Sequence, residues 1–229
     1  MNLLAIETAT EACSAALCCG DDVLARFELA PRRHADLILT MCSDLLCTAA
    51  LSPSQLDAVA FGRGPGSFTG LRIAAGTVQG IAFGLDLPVV PVSTLGAMAQ
   101  GAIAERDANR VLCALDARME EVYWGAYEKG GDGLARAAGE EFVWPPGRVP
   151  VPVGGGYHGV GSGWKIYGES LREHIGPGKL LGVEEDRFPD ARYVLPLAMD
   201  RFRRGEAVPV EQAQPVYLRD NVAKKAASR

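Results

Sequence analysis

A chain of 229 residues with 23 Lys and Arg against 28 Asp and Glu carries a formal charge of −5, and 48% of its residues are hydrophobic. That length suits one domain or two small lobes with ordinary cores, and the mild acidity argues against a large phosphate-binding surface of its own. No apolar run approaches the roughly twenty residues needed to span a bilayer, and Glu7 and Glu11 interrupt an N-terminus that lacks a basic start, so the expected location is cytoplasmic.

The first element is a short apolar strand, Leu3–Ile6, followed by the turn Glu7-Thr8-Ala9-Thr10. A second strand spans Cys13–Cys18, and Asp21-Asp22 turns the chain into a third, Val23–Leu29. From His34 to Ala49, Leu37, Ile38, Met41, Leu45 and Leu46 recur with helical spacing. An apolar run, Leu56–Phe61, then enters the segment Phe61-Gly-Arg-Gly-Pro-Gly-Ser-Phe-Thr-Gly-Leu-Arg-Ile73. Thr69 is placed to cap the helix that leaves it, which runs to Leu85. Leu71, Ala74, Ala75, Val78, Ile81 and Ala82 cover much of that helix's circumference, so it needs burial on more than one side.

Ser93 caps a third helix carrying Leu95, Met98, Ala99, Ala102 and Ile103, and the polar break Arg106–Arg110 marks a lobe boundary. The expected lobes are residues 1–107 and 108–229, with the last helix and tail free to pack back on the first. Val111–Ala117 and Val122–Tyr127 read as a hairpin, and residues 130–163 as loops and short strands. Pro189 or Asp190 starts a last helix with Ala191, Val194, Leu195, Ala198 and Phe202, and the tail after Asp220 is expected to fray.

The glycine-rich segment joins a strand to a helix N-terminus, an arrangement suited to an anion. It is equally suited to a tight turn that packs a helix on a sheet. It is not a Walker loop, because no lysine is present, nor a nucleophile elbow, because Ser67 directly follows Gly66. Gly64-x-Gly66-x-x-x-Gly70 is a near variant of the dinucleotide fingerprint, but Asp86, at about the right distance, belongs to a turn. A second glycine cluster, Gly154–Gly156 with Gly159, Gly161 and Gly163, reads as a flexible loop or a ligand loop.

The histidines His34, His158 and His174 are too far apart to share a helix turn, and the six cysteines form no Cys-x-x-Cys pair. No metal site is expected, and Cys13, Cys18, Cys42 and Cys113 sit in apolar patterns as reduced core thiols. Asp116 and Arg118 fit a turn fixed by a salt bridge and an Asx bond. Arg32-Arg33, Arg201-Phe-Arg-Arg204 and Lys224-Lys225 are small basic clusters, read as solvated surface or helix ends, the last also open to tRNA contact in an assembly.

The opening strand, acid-hydroxyl turn and strand resemble the start of the actin-like and sugar-kinase-like ATPases. Together with Gly-Pro-Gly-Ser-Phe-Thr-Gly-Leu-Arg-Ile, Asp116-Ala-Arg118, Glu121-Val-Tyr123 and Pro215-Val-Tyr-Leu-Arg219, they resemble one branch, the TsaB (YeaZ) family. The resemblance covers almost the whole chain. It implies an α/β, actin-like fold of two related lobes with mixed sheets flanked by helices. It also implies a subunit of the bacterial machinery that makes N6-threonylcarbamoyladenosine at position 37 of tRNA, partnered by a TsaD-type transferase and a TsaE-type ATPase. Such chains are the non-catalytic partner, meeting tRNA only through the complex and pairing with themselves when the transferase is absent.

On that reading no residue is catalytic and no metal is held. The partner surface draws on His34, Leu37, Ile38, Met41 and Leu45 of one helix and Thr69, Leu71, Arg72, Ala75, Val78 and Gln79 of the next. A vestigial nucleotide site would use Glu7, Thr8, Thr10, Gly64 and Gly66; Glu7 stands where active ATPases carry aspartate, which degrades the site. No cofactor is expected, although weak or shared ATP or ADP binding stays open. Two enzyme readings are weighed against this one: an ATP-dependent phosphotransferase using Glu7 and the glycine loops, and a protease of the M22 type.

Overall fold

A computed structural model describes residues 1–219; the expectations for Lys224-Lys225 and for the tail after Asp220 fall outside these residues. The first lobe runs β1 (Asn2–Glu7), β2 (Ala12–Cys19), β3 (Asp22–Leu29), α1 (His34–Thr48), β4 (Ala58–Gly62), α2 (Phe68–Leu85), β5 (Val89–Val92) and α3 (Thr94–Arg106). Its sheet has the order β3-β2-β1-β4-β5, with antiparallel hairpin pairs on one side of β1 and parallel pairs on the other.

The second lobe runs β6 (Arg110–Asp116), β7 (Val122–Lys129), β8 (Ala135–Ala137), β9 (Phe142–Trp144), β10 (Tyr157–Val160), α4 (Ser162–Ile175), β11 (Leu180–Glu184) and α5 (Ala191–Arg203). Its sheet, β11-β10-β6-β7-β8 with β9 also on β7, repeats the same plan. The lobe's first strand, β6, is central, its hairpin neighbours are antiparallel, and β10 and β11 are parallel to it. Two mixed sheets of this shared order, flanked by helices, make the actin-like, sugar-kinase-like fold. The second lobe has only a turn of 3-10 helix, Pro146–Arg148, before its parallel strands, where the first has α1.

The last helix of each lobe packs on the other lobe's sheet. α3 lies against β6, β7 and β8, α5 lies against β1 and β2, and the two helices touch. They form the central layer of one core with Leu3, Ala5 and Ala60 from the first sheet and Val111, Cys113 and Leu115 from the second. The outer face of the first sheet buries Leu4, Ile6, Leu17 and Phe61 beneath α1 and α2. The outer face of the second buries Trp124 against Trp164 of α4, ring centroids 6.0 Å apart. Cys13, Cys18, Cys42 and Cys113 are buried free thiols.

Two local readings need correction. The cap of α2 is Ser67, whose Oγ accepts a hydrogen bond from the Gly70 N–H at 3.4 Å, because the helix already starts at Phe68. Thr69 therefore lies inside the first turn. A full helix, α4, begins in the stretch expected to be loops and short strands; Gly163, Gly168 and a kink at Tyr167 hide its period. Elsewhere Ser93 and Asp190 cap α3 and α5 through their own side chains.

The N-terminus of α2 rests directly on the β1–β2 turn. A Cβ at Gly70 would lie 2.0 Å from the Thr8 carbonyl oxygen, and one at Gly66 would lie 2.5 Å from that of Ala9. In the second lobe Gly161 and Gly163 likewise bring the start of α4 close to Ala114 of β6, with a Cβ at 2.5 and 2.9 Å from its nearest atom. Gly70→Ala is expected to cost about 3 kcal/mol, since backbone atoms must move. Gly76→Ala on the same helix meets open space and should stabilise by up to about 1 kcal/mol. Urea unfolding of the pair distinguishes close approach from helix propensity.

Candidate functional site: a cleft and an outer helical face

The two lobes enclose a cleft of about 550 Å³. Its floor is formed by the β1–β2 turn (Ala9, Thr10, Glu11), the α2 N-terminus (Gly66, Ser67, Phe68), the β6–β7 turn (Asp116 to Met119) and Ser162 at the start of α4. Of the residues assigned to a nucleotide, Thr10 and Gly66 line this space, whereas Glu7, Thr8 and Gly64 lie behind it. The Thr8 hydroxyl donates to the Gly70 carbonyl at 2.8 Å, and Thr10 Oγ1 accepts from the Ala12 N–H at 3.3 Å. Gly64 has φ +107°, and a Cβ there would stand 2.8 Å from the Val216 carbonyl oxygen.

Glu7 is fully buried. Its Oε1 accepts from the Ala9 N–H at 2.6 Å, and its Oε2 from the Thr94 hydroxyl at 3.0 Å. A Cβ at Gly62 would fall 1.8 Å from Oε2, so the carboxyl occupies the space that this glycine leaves. Burial pushes its pKa up to about 7 despite those hydrogen bonds, with nearby Asp190 adding to the rise. Asp116 ends the first strand of the second lobe as Glu7 ends that of the first. It accepts from the Arg118 N–H at 2.9 Å and pairs with the Arg118 guanidinium at 2.9 Å, the turn-fixing role expected of both. Among the described residues no group of three or more His, Cys, Asp or Glu is gathered as metal ligands would be.

The residues assigned to the partner surface divide by face. Ile38, Met41, Leu45, Ala75 and Val78 are buried against the first sheet, Leu71 is buried at the edge of the cleft, and His34 is buried with its Nε2 lacking a partner among the described residues. Leu37 and Gln79 are half-buried; Gln79 donates to the Ala213 carbonyl at 2.8 Å. Thr69 and Arg72 are exposed. The apolar stripe seen in the sequence is therefore the inward face, and Ala75→Glu would test folding before docking. The outward face carries Leu39, 59% exposed, on α1, and Gly76, Gly80, Phe83 and Gly84 on α2, with Phe83 79% exposed. All three of these glycines have open space at the Cβ position, and their four-residue spacing puts them on one side of the helix. That spacing, with Phe83 beside it, was the sequence signal for the face.

Glu7 makes a defined pH dependence. Its folded pKa lies above the ordinary value of 4.5, so the folded chain keeps a proton that the unfolded chain releases. Stability should fall as pH rises from about 4.5 to about 7 and level off above, a loss of about 3 kcal/mol. Glu7→Gln, which stays neutral, should lack this component. Urea midpoints at pH 5 and pH 8 should differ more for the wild type than for the variant; equal differences would show that Glu7 titrates normally.

A family model described as "TsaD: tRNA N6-adenosine threonylcarbamoyltransferase" matches residues 28–227. The "tRNA threonylcarbamoyladenosine biosynthesis protein TsaB" of Escherichia coli (strain K12) is 46% identical over 228 residues, covering 98% of this chain and 97% of its own. The protein of the same name from Haemophilus influenzae is 37% identical over 98% of this chain and 96% of its own. The solved structure of YeaZ from Pseudomonas aeruginosa is 47% identical and superposes with a TM-score of 0.88 over 95% of this chain and 99% of that one. No described helix is long and apolar enough to cross a membrane. A near full-length match at this identity, on the same fold, means that the chain belongs to the TsaB (YeaZ) family of tRNA threonylcarbamoyladenosine biosynthesis proteins, within the wider TsaD-type fold family.

Proposed function

We propose that this chain is a non-catalytic activating subunit of the bacterial machinery that makes N6-threonylcarbamoyladenosine at position 37 of tRNA. It docks on a TsaD-type transferase, which it activates together with a TsaE-type ATPase. The pathway is supported by the names of its full-length relatives. The observation that carries the docking role is the outward face of α1 and α2, where Gly76, Gly80 and Gly84 leave room for a second helix to approach beside the exposed Phe83 and Leu39. Activation follows if the transferase's active arrangement binds this face more tightly than its inactive one.

Glu7 supports the non-catalytic part of the reading. The carboxyl is fully buried, accepts from the chain's own donors at both oxygens and does not line the cleft, where a metal or an attacking water would have to sit. Contact with tRNA is assigned to the assembly, and the same helical face would pair two copies of the chain when the transferase is absent. The location proposed is the cytoplasm, where tRNA is modified.

Gly80→Glu places a charge on the outward face without touching the core. It should leave the fold intact by circular dichroism and melting no lower than the wild type, since glycine is the poorer helix former, while weakening binding to the cognate transferase at least about thirtyfold, the cost of an unpaired charge at an interface. Calorimetric titration reads this directly. Unchanged affinity would remove α2 from the interface.

A further inference from the structure

We infer that residues 213–219 form a strap that couples the outer helix α2 to the β6–β7 turn at the cleft. The segment crosses between the lobes, and its grips on each are specific. On the first lobe, Gln79 of α2 donates to the Ala213 carbonyl at 2.8 Å, and the Val216 N–H donates to the Arg63 carbonyl at 2.8 Å. Tyr217 lies with its ring centroid 5.4 Å from that of Phe68, and the Arg72 Nε donates to its hydroxyl at 3.4 Å. The Arg72 guanidinium in turn covers the Phe68 ring at 4.0 Å.

On the second lobe, Arg219 holds the turn. Its Nη1 donates to the Ala117 carbonyl at 3.0 Å, and its Nη2 to the Arg118 carbonyl at 3.4 Å and to the Glu121 carboxylate. A planar guanidinium fork suits this array, and a flexible ammonium does not. The turn needs holding, because Arg118, Met119 and Glu120 have consecutive φ values of 60°, 57° and 62°. Residues with side chains avoid that left-handed region, so such a turn persists only when its surroundings impose it. Release of Arg219 would let it relax.

Between the grips, Val216 and Leu218 form a shared wall. They line both the front cleft and a second cavity of about 450 Å³ behind it, bordered by Arg63, Ser93 and Glu141. A shift of the strap therefore alters both spaces at once. Arg72 and Phe68 are exposed at the start of α2, so a partner covering that helix end would press on the strap. Transmission from a docked partner rests on α2 being the docking face; the strap's coupling of α2 to the turn does not.

Hydrogen exchange on the chain alone separates the two. The amides to follow are Ala117, which donates to the Glu121 carbonyl, and Glu121, which donates to that of Arg118. Arg219→Ala should speed their exchange at least about tenfold, and Arg72→Ala should speed it by a smaller factor although it lies on the other lobe. Combined, the two should exchange no faster than Arg219→Ala alone, because both act through one strap. Core amides of β1 and β4 should keep their rates. Wild-type rates at the turn in Arg72→Ala, or effects that multiply, would overturn the coupling. If Arg219→Ala does not fold, Arg219→Lys keeps a charge for Glu121 but loses the fork, and the same cycle with Arg72→Ala gives the same two outcomes.

Discussion

The close approach of α2 to the β1–β2 turn sets the terms for the rest of the molecule. Gly62, Gly66 and Gly70 admit Glu7, Ala9 and Thr8 at distances that no side chain would allow. The glycines that resemble an anion-binding loop are thereby used against the chain's own backbone and carboxyl. Glu7 ends up fully buried, with a raised pKa and internal partners for both oxygens. What remains open between the lobes is lined by Thr10, Asp116, Arg118 and apolar side chains such as Leu71 and Ile166.

The duplicated plan explains how the cleft and the outer face belong to one body. Each lobe repeats the same strand order, and each sends its last helix onto the other's sheet. α3 and α5 thus form a continuous apolar layer between the sheets. Separating the lobes would expose that layer. Among the described residues the second lobe has no helix matching α1, so the α1–α2 pair belongs to the first lobe alone. This asymmetry gives the molecule one broad helical face.

Much of this was legible in the residues. The apolar strands at both lobe starts and the caps Ser93 and Asp190 were read close to their observed places. Two hydroxyls close together, Ser67 and Thr69, blurred the start of α2, and glycines with a kink concealed α4. The sequence picked out α1 and α2 as helices but not which of their sides faces outward. In α2 the inward side is Ala74, Ala75 and Val78 and the outward side is glycine with Phe83, so composition alone marks neither as the surface. The strap was visible only as a family motif, since its partners Arg63, Gln79 and Ala117 lie far away in sequence. Local periodicity carries no information about contacts of that range.

The most direct test of the account is reconstitution of the modification. The cognate TsaD-type transferase and TsaE-type ATPase would be given tRNA and threonylcarbamoyl-adenylate, with and without this chain, and the modified adenosine measured by mass spectrometry. The account predicts product only when the chain is added, and none from the chain by itself. Equal product in its absence would contradict the activating role and bring an independent activity of the chain back into contention.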